Sequence, residues 1–189
     1  MSRIILIFTL IFCSSAIAEE CEVTYLEELE YTDIECQFYM GTAAYRNKVY
    51  SVAAAHWNYV INSPLKYEGE EELKVMALST LTFLSYHGLG LTQDRNKAVK
   101  SWIDAVSKGD LEARRHLGFA YSDEKFKSND LIKALGWYES IFLLYPNKDD
   151  VDESDLGVYQ DAFDGAGELK NRLSSKQQEA AIRFARSTL

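Results

Sequence analysis

The stretch from Ala77 to Tyr121 starts to repeat itself before it ends. It reads A-L-S-T-L-T-F-L-S-Y-H-G-L-G-L-T-Q-D-R-N-K-A-V-K-S-W-I-D-A-V-S-K-G-D-L-E-A-R-R-H-L-G-F-A-Y. Two apolar-periodic segments, 77–87 and 95–107, flank a G-L-G turn, and the opening phrase returns at Ala113. Ala77 recurs as Ala113, Leu81 as Leu117, Ala98 as Ala134 and Trp102 as Tyr138, each 36 residues on. A unit of that length is one helix-turn-helix that cannot bury its apolar face alone, so units must stack. The sequence therefore predicts an all-α fold, a short α-solenoid of about four helix pairs.

Around this unit the chain divides as follows. Unit 1 spans 33–64, unit 2 spans 71–109, unit 3 spans 111–146, and a C-terminal helical pair spans 155–189. In unit 1, Met40, Gly41 and Ala44 share one face, Tyr50, Ala53, Trp57 and Val60 follow on a second segment, and Pro64 ends it. Small residues at 41, 44 and 53 suit close helix approach, where larger ones would overpack the crossing. In unit 2, Gly88 and Gly90 give the turn its backbone freedom, Asp94 is the expected N-cap, and Gly109 the expected C′ residue. Unit 3 replaces the glycine turn by S-D-E-K-F-K-S-N-D, which predicts a different turn with both helices kept. After Pro146 an acidic linker leads into a helical pattern over 155–172 through Leu156, Tyr159, Phe163, Ala166 and Leu169. Ser175 with Gln178 then predicts a capping box.

Unit 1, with its order of bulky, small, small, then aromatic and proline, resembles a tetratricopeptide unit. The pattern Ala77-x3-Leu81-x6-Gly88-x-Gly90-Leu91-x2-Asp94-x2-Lys97-Ala98-x3-Trp102-x2-Ala105-x3-Gly109-x3-Ala113 resembles the Sel1-like repeat, a tetratricopeptide-like unit with a longer internal turn. From Leu81 to Ala98 there are four residues more than from Met40 to Ala53. Thr82, Ser85 and Ser101 depart from the residues usual at those positions. Leu117-Gly118-x2-Tyr121 and Lys133-Ala134-x2-Trp137-Tyr138 continue the pattern. The resemblance implies a non-catalytic protein–protein interaction scaffold or adaptor of the cell envelope, binding a protein or peptide in its concave groove.

The chain opens M-S-R-I-I-L-I-F-T-L-I-F-C-S-S-A-I-A-E-E-C, with a positive Arg3, an apolar run from Ile4 to Phe12, and Ala16 and Ala18 placed for cleavage before Glu19. This is the pattern of a signal peptide over 1–18, and its apolar run is too short to span a bilayer. Export to the periplasm or secretion is the expectation, with no direct membrane insertion once the signal is removed. The remaining chain has 19 Lys+Arg against 29 Asp+Glu, a net −10, which excludes nucleic acid as an obvious partner. Residues 19–32 form an acidic cap segment. Cys13 leaves with the signal, and Cys21 and Cys36 remain as an even pair in an exported chain, which favours a disulfide. Closing that loop would remove about 3 kcal/mol of denatured-state entropy.

Catalytic and metal motifs are absent from the sequence: there is no H-E-x-x-H, G-x-S-x-G, Walker-type loop or C-x-x-C. His56, His87 and His116 fall on separate helices, so no cofactor or metal is expected. Ser122 to Lys125 matches S-x-x-K, which keeps open an alternative, a hydrolase or β-lactam-interacting enzyme of the cysteine-rich Sel1-like type. The K-T-G and S-D-N partners of that motif are missing. Asp150-x-Asp152-x-Ser154 begins like a calcium loop but lacks its glycine and its closing glutamate.

What remains is a surface. Superposing the units places Phe38, Thr42, Tyr45 and Arg46, then Met76, Ser79, Phe83, Tyr86 and His87, then Arg115, Phe119 and Ser122 on the concave side of the first helices. The residues expected to form the protein-binding groove are Phe38, Tyr45, Arg46, Phe83, Tyr86, His87, Arg115 and Phe119, an aromatic strip of the kind that anchors partners. The same positions also suit core between units.

Overall fold

A computed structural model describes residues 34–67 and 69–189 of the protein. The expected signal peptide, the cap segment 19–32 and Cys21 lie outside the described residues. Eight α-helices follow one another, with no strand among the described residues: α1 (Ile34–Arg46), α2 (Tyr50–Asn62), α3 (Glu70–His87), α4 (Arg95–Val106), α5 (Leu111–Ser122), α6 (Leu131–Leu144), α7 (Leu156–Arg172) and α8 (Ser175–Arg186). Helices α1/α2, α3/α4 and α5/α6 form three antiparallel pairs that stack in order, as the repeat period requires. The fold is an α-solenoid.

One hydrogen bond shows why the units superpose. The indole Nε1 of Trp57 donates to the Phe38 carbonyl at 3.2 Å, and Trp102 Nε1 donates to the Ser79 carbonyl at 3.2 Å. Each ties the second helix of a unit to the backbone of the first. The partners are 19 residues apart in unit 1 and 23 in unit 2, so the four extra residues all go into the turn. Both indoles are buried, which satisfies the one polar atom that would otherwise oppose burying so large a ring. Gly41 makes room for the first: a Cβ there would come within 2.6 Å of Trp57 Nε1.

The turns differ inside and agree at their ends. Asp94 N donates to the Ser85 carbonyl at 3.0 Å, and Asp130 N donates to the Tyr121 carbonyl at 2.8 Å, one period later. Both aspartates then cap the following helix, Asp94 accepting from Lys97 N and Asp130 from Ile132 N and Lys133 N. In unit 2, Gly88 and Gly90 have φ of 73° and 66°, and Gly90 lies so close to α2 that a Cβ would meet Ser51 N at 2.6 Å. Unit 3 has Phe126 at the position of Gly90, and its ring is buried beside Tyr121 and Tyr86. A side-chain plug thus replaces a glycine turn. Helix α4 is capped at its end by Ser107, so Gly109, with φ 90°, stands two residues past the cap rather than next to it.

The C-terminal helices refine two expectations. The capping box is Ser174 with Gln177, one residue earlier than expected: Ser174 N and Oγ both donate to Gln177 Oε1, at 3.0 and 2.8 Å. Gln178 instead donates to the carbonyls of Lys170 and Leu173, which ties the start of α8 to the end of α7. On α7 the buried stripe is Val158, Ala162, Ala166 and Leu169, whereas Phe163 is 61% exposed. Helix α8 packs chiefly along α6, with Phe184 and the Ala181 carbonyl against Gly136. Helix α6 is thereby covered by α5, α7 and α8 together.

A candidate interaction face on the first helices

Helices α1, α3 and α5, the first of each unit, lie side by side and are followed by α7. The expected groove residues fall on them in two groups. Tyr86 is 0% exposed and Phe38 7% exposed, so both are core. The Tyr86 hydroxyl donates to Asp123 Oδ2 at 2.9 Å, and Arg95 lies over its ring. Burial first, then Asp123, raises its pKa well above the phenol range. A ring so enclosed offers nothing to a partner, and Tyr86 is corrected to inter-helix core, whereas Phe38, though mostly buried, still lines a groove. The cause is the place of Tyr86 on α3, turned inward against Trp102 of the second helix of the unit.

The remaining residues reach solvent. Tyr45, Phe83, His87 and Arg115 are half-buried, Arg46 is exposed, and Phe119 is 38% exposed. They form a continuous line of rings across three units. Tyr45 meets Phe83 at 6.2 Å, Phe83 meets His87 at 4.3 Å, and His87 meets Phe119 at 5.5 Å between ring centroids. Burial lowers the His87 pKa, so the ring is neutral and joins the line as an aromatic. Beneath it, buried His116 stacks on Trp102 at 4.7 Å and touches Phe83 at 5.2 Å.

Charge on this face is organised around Glu112. His116 Nε2 lies 3.1 Å from Glu112 Oε1, and Arg115 pairs with Glu112 as well as with Asp161 of α7, the latter at 3.5 Å. Burial alone would raise the Glu112 pKa, but the His116 bond and the Arg115 charge outweigh it and hold it at about 2. Burial lowers the pKa of His116. Arg115 is thus a bridge between α5 and α7 rather than a free cation.

The same first helices line a groove of about 1320 Å³ across α1, the N-terminal half of α3, the start of α5 and the stretch leading into α7. Its apolar wall includes Phe38, Tyr39, Val75, Met76, Leu111 and Val158. Met76 and Thr42, both expected on this face, line it; Ser79 is fully buried beneath. Sequence periodicity did not single out the acidic stretch before α7 as a wall of the groove, because nothing in a loop's composition says where it folds back.

Ser122, the serine of the S-x-x-K match, ends α5 and donates its hydroxyl to the Phe119 carbonyl at 2.8 Å. It sits at a helix C-terminus, not at the N-terminus such a nucleophile needs. No group of three or more His, Cys, Asp or Glu is placed to hold a metal among the described residues. Among the same residues no helix is long and apolar enough to cross a membrane.

No family model matches the chain, and no curated protein matches it in sequence. Among solved structures it is similar to the crystal structure of c5321, a protective antigen present in uropathogenic Escherichia coli strains displaying an SLR fold, SLR standing for Sel1-like repeat. The match has a TM-score of 0.60 at 16% identity and covers 86% of this chain and 31% of the other. The chain therefore spans about a third of that protein's length. At this identity the likeness concerns the fold, and the fold of this protein is that of Sel1-like repeats.

Proposed function

We propose that this protein is an exported, non-catalytic scaffold that holds a protein or peptide along the concave face of its first helices. The observation that carries the reading is the line of partly exposed rings from Tyr45 to Phe119 across three units, on the same first helices that also line a groove. Rigid aromatics in a concave surface supply contact area at low entropic cost, which is how anchors of protein interfaces work. A repeat array offers an extended concave surface. Export rests on the character of residues 1–18, and with it goes a Cys21–Cys36 bridge pinning the acidic cap to α1.

The test is site-specific photocrosslinking from position 119 in the native host. The proposal expects a defined protein adduct, lost when Phe83→Ala is added. Only uncrosslinked monomer would refute it. Export and the bridge are read separately by intact mass: cleavage before Glu19, and a gain of two alkylated thiols only after reduction.

A further inference from the structure

The groove on the first helices has an uneven charge. Six carboxylates line it against two cations, Arg46 and Lys108. Two of the six have structural work: Asp110 caps α5 through Ala113 N, and Glu112 is paired with Arg115 and His116. Glu71, Glu72, Asp152 and Asp155 form no ion pair among the described residues. They come from α3 and from the stretch before α7, which the fold brings face to face across the groove. Burial first, and then the charges of Asp152, Glu112 and Glu72, push the Asp155 carboxyl above its usual value. No cation is among the charges acting on Asp155, although Arg46 and Lys108 line the groove elsewhere.

Resting on the scaffold reading, we infer that the occupant of this groove is a basic, extended segment of a partner protein, its apolar side chains on Met76 and Val75 and a Lys or Arg between Glu72 and Asp155. Charge complementarity selects it. Crossing α1, α3, α5 and the α7 approach takes about 30 Å at the usual helix spacing, or roughly nine extended residues. The chain's own residues 19–32 carry six glutamates and no Lys or Arg, the same sign as the groove. A second copy of a chain with net charge −9 is disfavoured for the same reason.

The experiment uses the full processed chain and three fluorescein-labelled ten-residue peptides, alternating Lys–Leu, Gln–Leu and Glu–Leu. Binding is read by anisotropy at low and high salt and located by the NMR methyl signal of Met76, which is 40% exposed. The Lys–Leu peptide moves the Met76 signal and weakens with salt. Its affinity falls about tenfold in Glu72→Gln/Asp155→Asn and stays unchanged in Glu179→Gln, an exposed residue of α8. The double variant also melts no lower than the parent, because it removes a repulsion. Equal Lys–Leu affinity in the double variant, or no movement of Met76, overturns the inference. A Met76 signal that moves on deleting residues 19–32, or with protein concentration alone, gives the groove to the chain itself and overturns it too. If the Gln–Leu or Glu–Leu peptide moves Met76 instead, the basic partner is refuted while the scaffold stands; absence of any position-119 adduct from the otherwise unmutated chain in the host refutes the scaffold.

Discussion

Tyr138 makes the packing of the third unit testable at a single atom. Its ring is buried, with burial pushing its pKa up to about 12, and it lies between two glycines on different helices. A Cβ built on Gly118 of α5 would come within 2.3 Å of Tyr138 Cε1, and one on Gly165 of α7 within 2.7 Å of Cε2. The ring is held on both edges, so it cannot yield to one addition without striking the other helix. Two residues along α7, Gly167 has nothing within 4 Å of its Cβ position. Both are interior helix positions, where Gly→Ala alone stabilises by about 0.5–1 kcal/mol. For Gly167→Ala that gain stands unopposed. For Gly165→Ala overpacking adds a cost of about 1–3 kcal/mol, which reverses the sign. Urea denaturation followed by circular dichroism measures both, provided tryptophan fluorescence gives the same midpoint and so supports a two-state reading. The midpoints should move in opposite directions, separated by about 1–3 kcal/mol. In a Tyr138→Leu background the difference should shrink towards zero, since the double-mutant cycle isolates that contact. If Gly165→Ala is as stable as Gly167→Ala with Tyr138 present, the ring is not clamped and the reasoning fails.

The division of the aromatic face into core and surface predicts that Tyr86→Ala costs about 3–5 kcal/mol, while Phe119→Ala costs no more than about 1 kcal/mol. Thermal melts of the two variants measure the difference, and equal losses would refute the division. The folded pKa of Glu112, about 2, lies below its unfolded value of 4.5, so its contribution is complete above pH 4.5 and is lost as pH falls towards 2. His116, depressed by burial, acts in the same direction on acidification. Urea titrations at pH 7, 5 and 3 should show a steeper loss in the parent than in Glu112→Gln, and parallel losses would refute the assignment. Finally, Ser174→Ala should cost about 1 kcal/mol and Ser175→Ala little, the reverse of what a box at 175 requires.

Much of the array was legible because a repeat states its own geometry. Ala77 and Ala113, or Trp57 and Trp102, sit at equivalent places for the same steric reason, and the four-residue offset of unit 2 by itself locates its longer turn. Asp94 was legible as a cap because an aspartate before an apolar-periodic run has one main use. The sidedness of Tyr86 was not. A first helix in such a stack faces its own partner helix, two neighbours and solvent at once, so helical periodicity cannot say which of those surfaces a ring meets. Phe126 was hidden for a related reason: a lone aromatic in a polar loop has no periodicity to mark it as a plug. Ser174 and Ser175 both satisfy the capping pattern, and only the docking of Ala181 and Ala185 on α6 chooses between them.

The packing of α8 along α6 has a consequence for how the chain is made. Helix α6 is complete at residue 144, but its Gly136 face stays open until Phe184 arrives, and the Arg114 guanidinium waits for Thr188, whose carbonyl and hydroxyl it holds at 3.1 and 3.3 Å. Packing of α6 is therefore completed late in folding: α5 and α7 cover two of its faces, and the third closes only when α8 docks. A chain cut before Phe184 would keep that third face open.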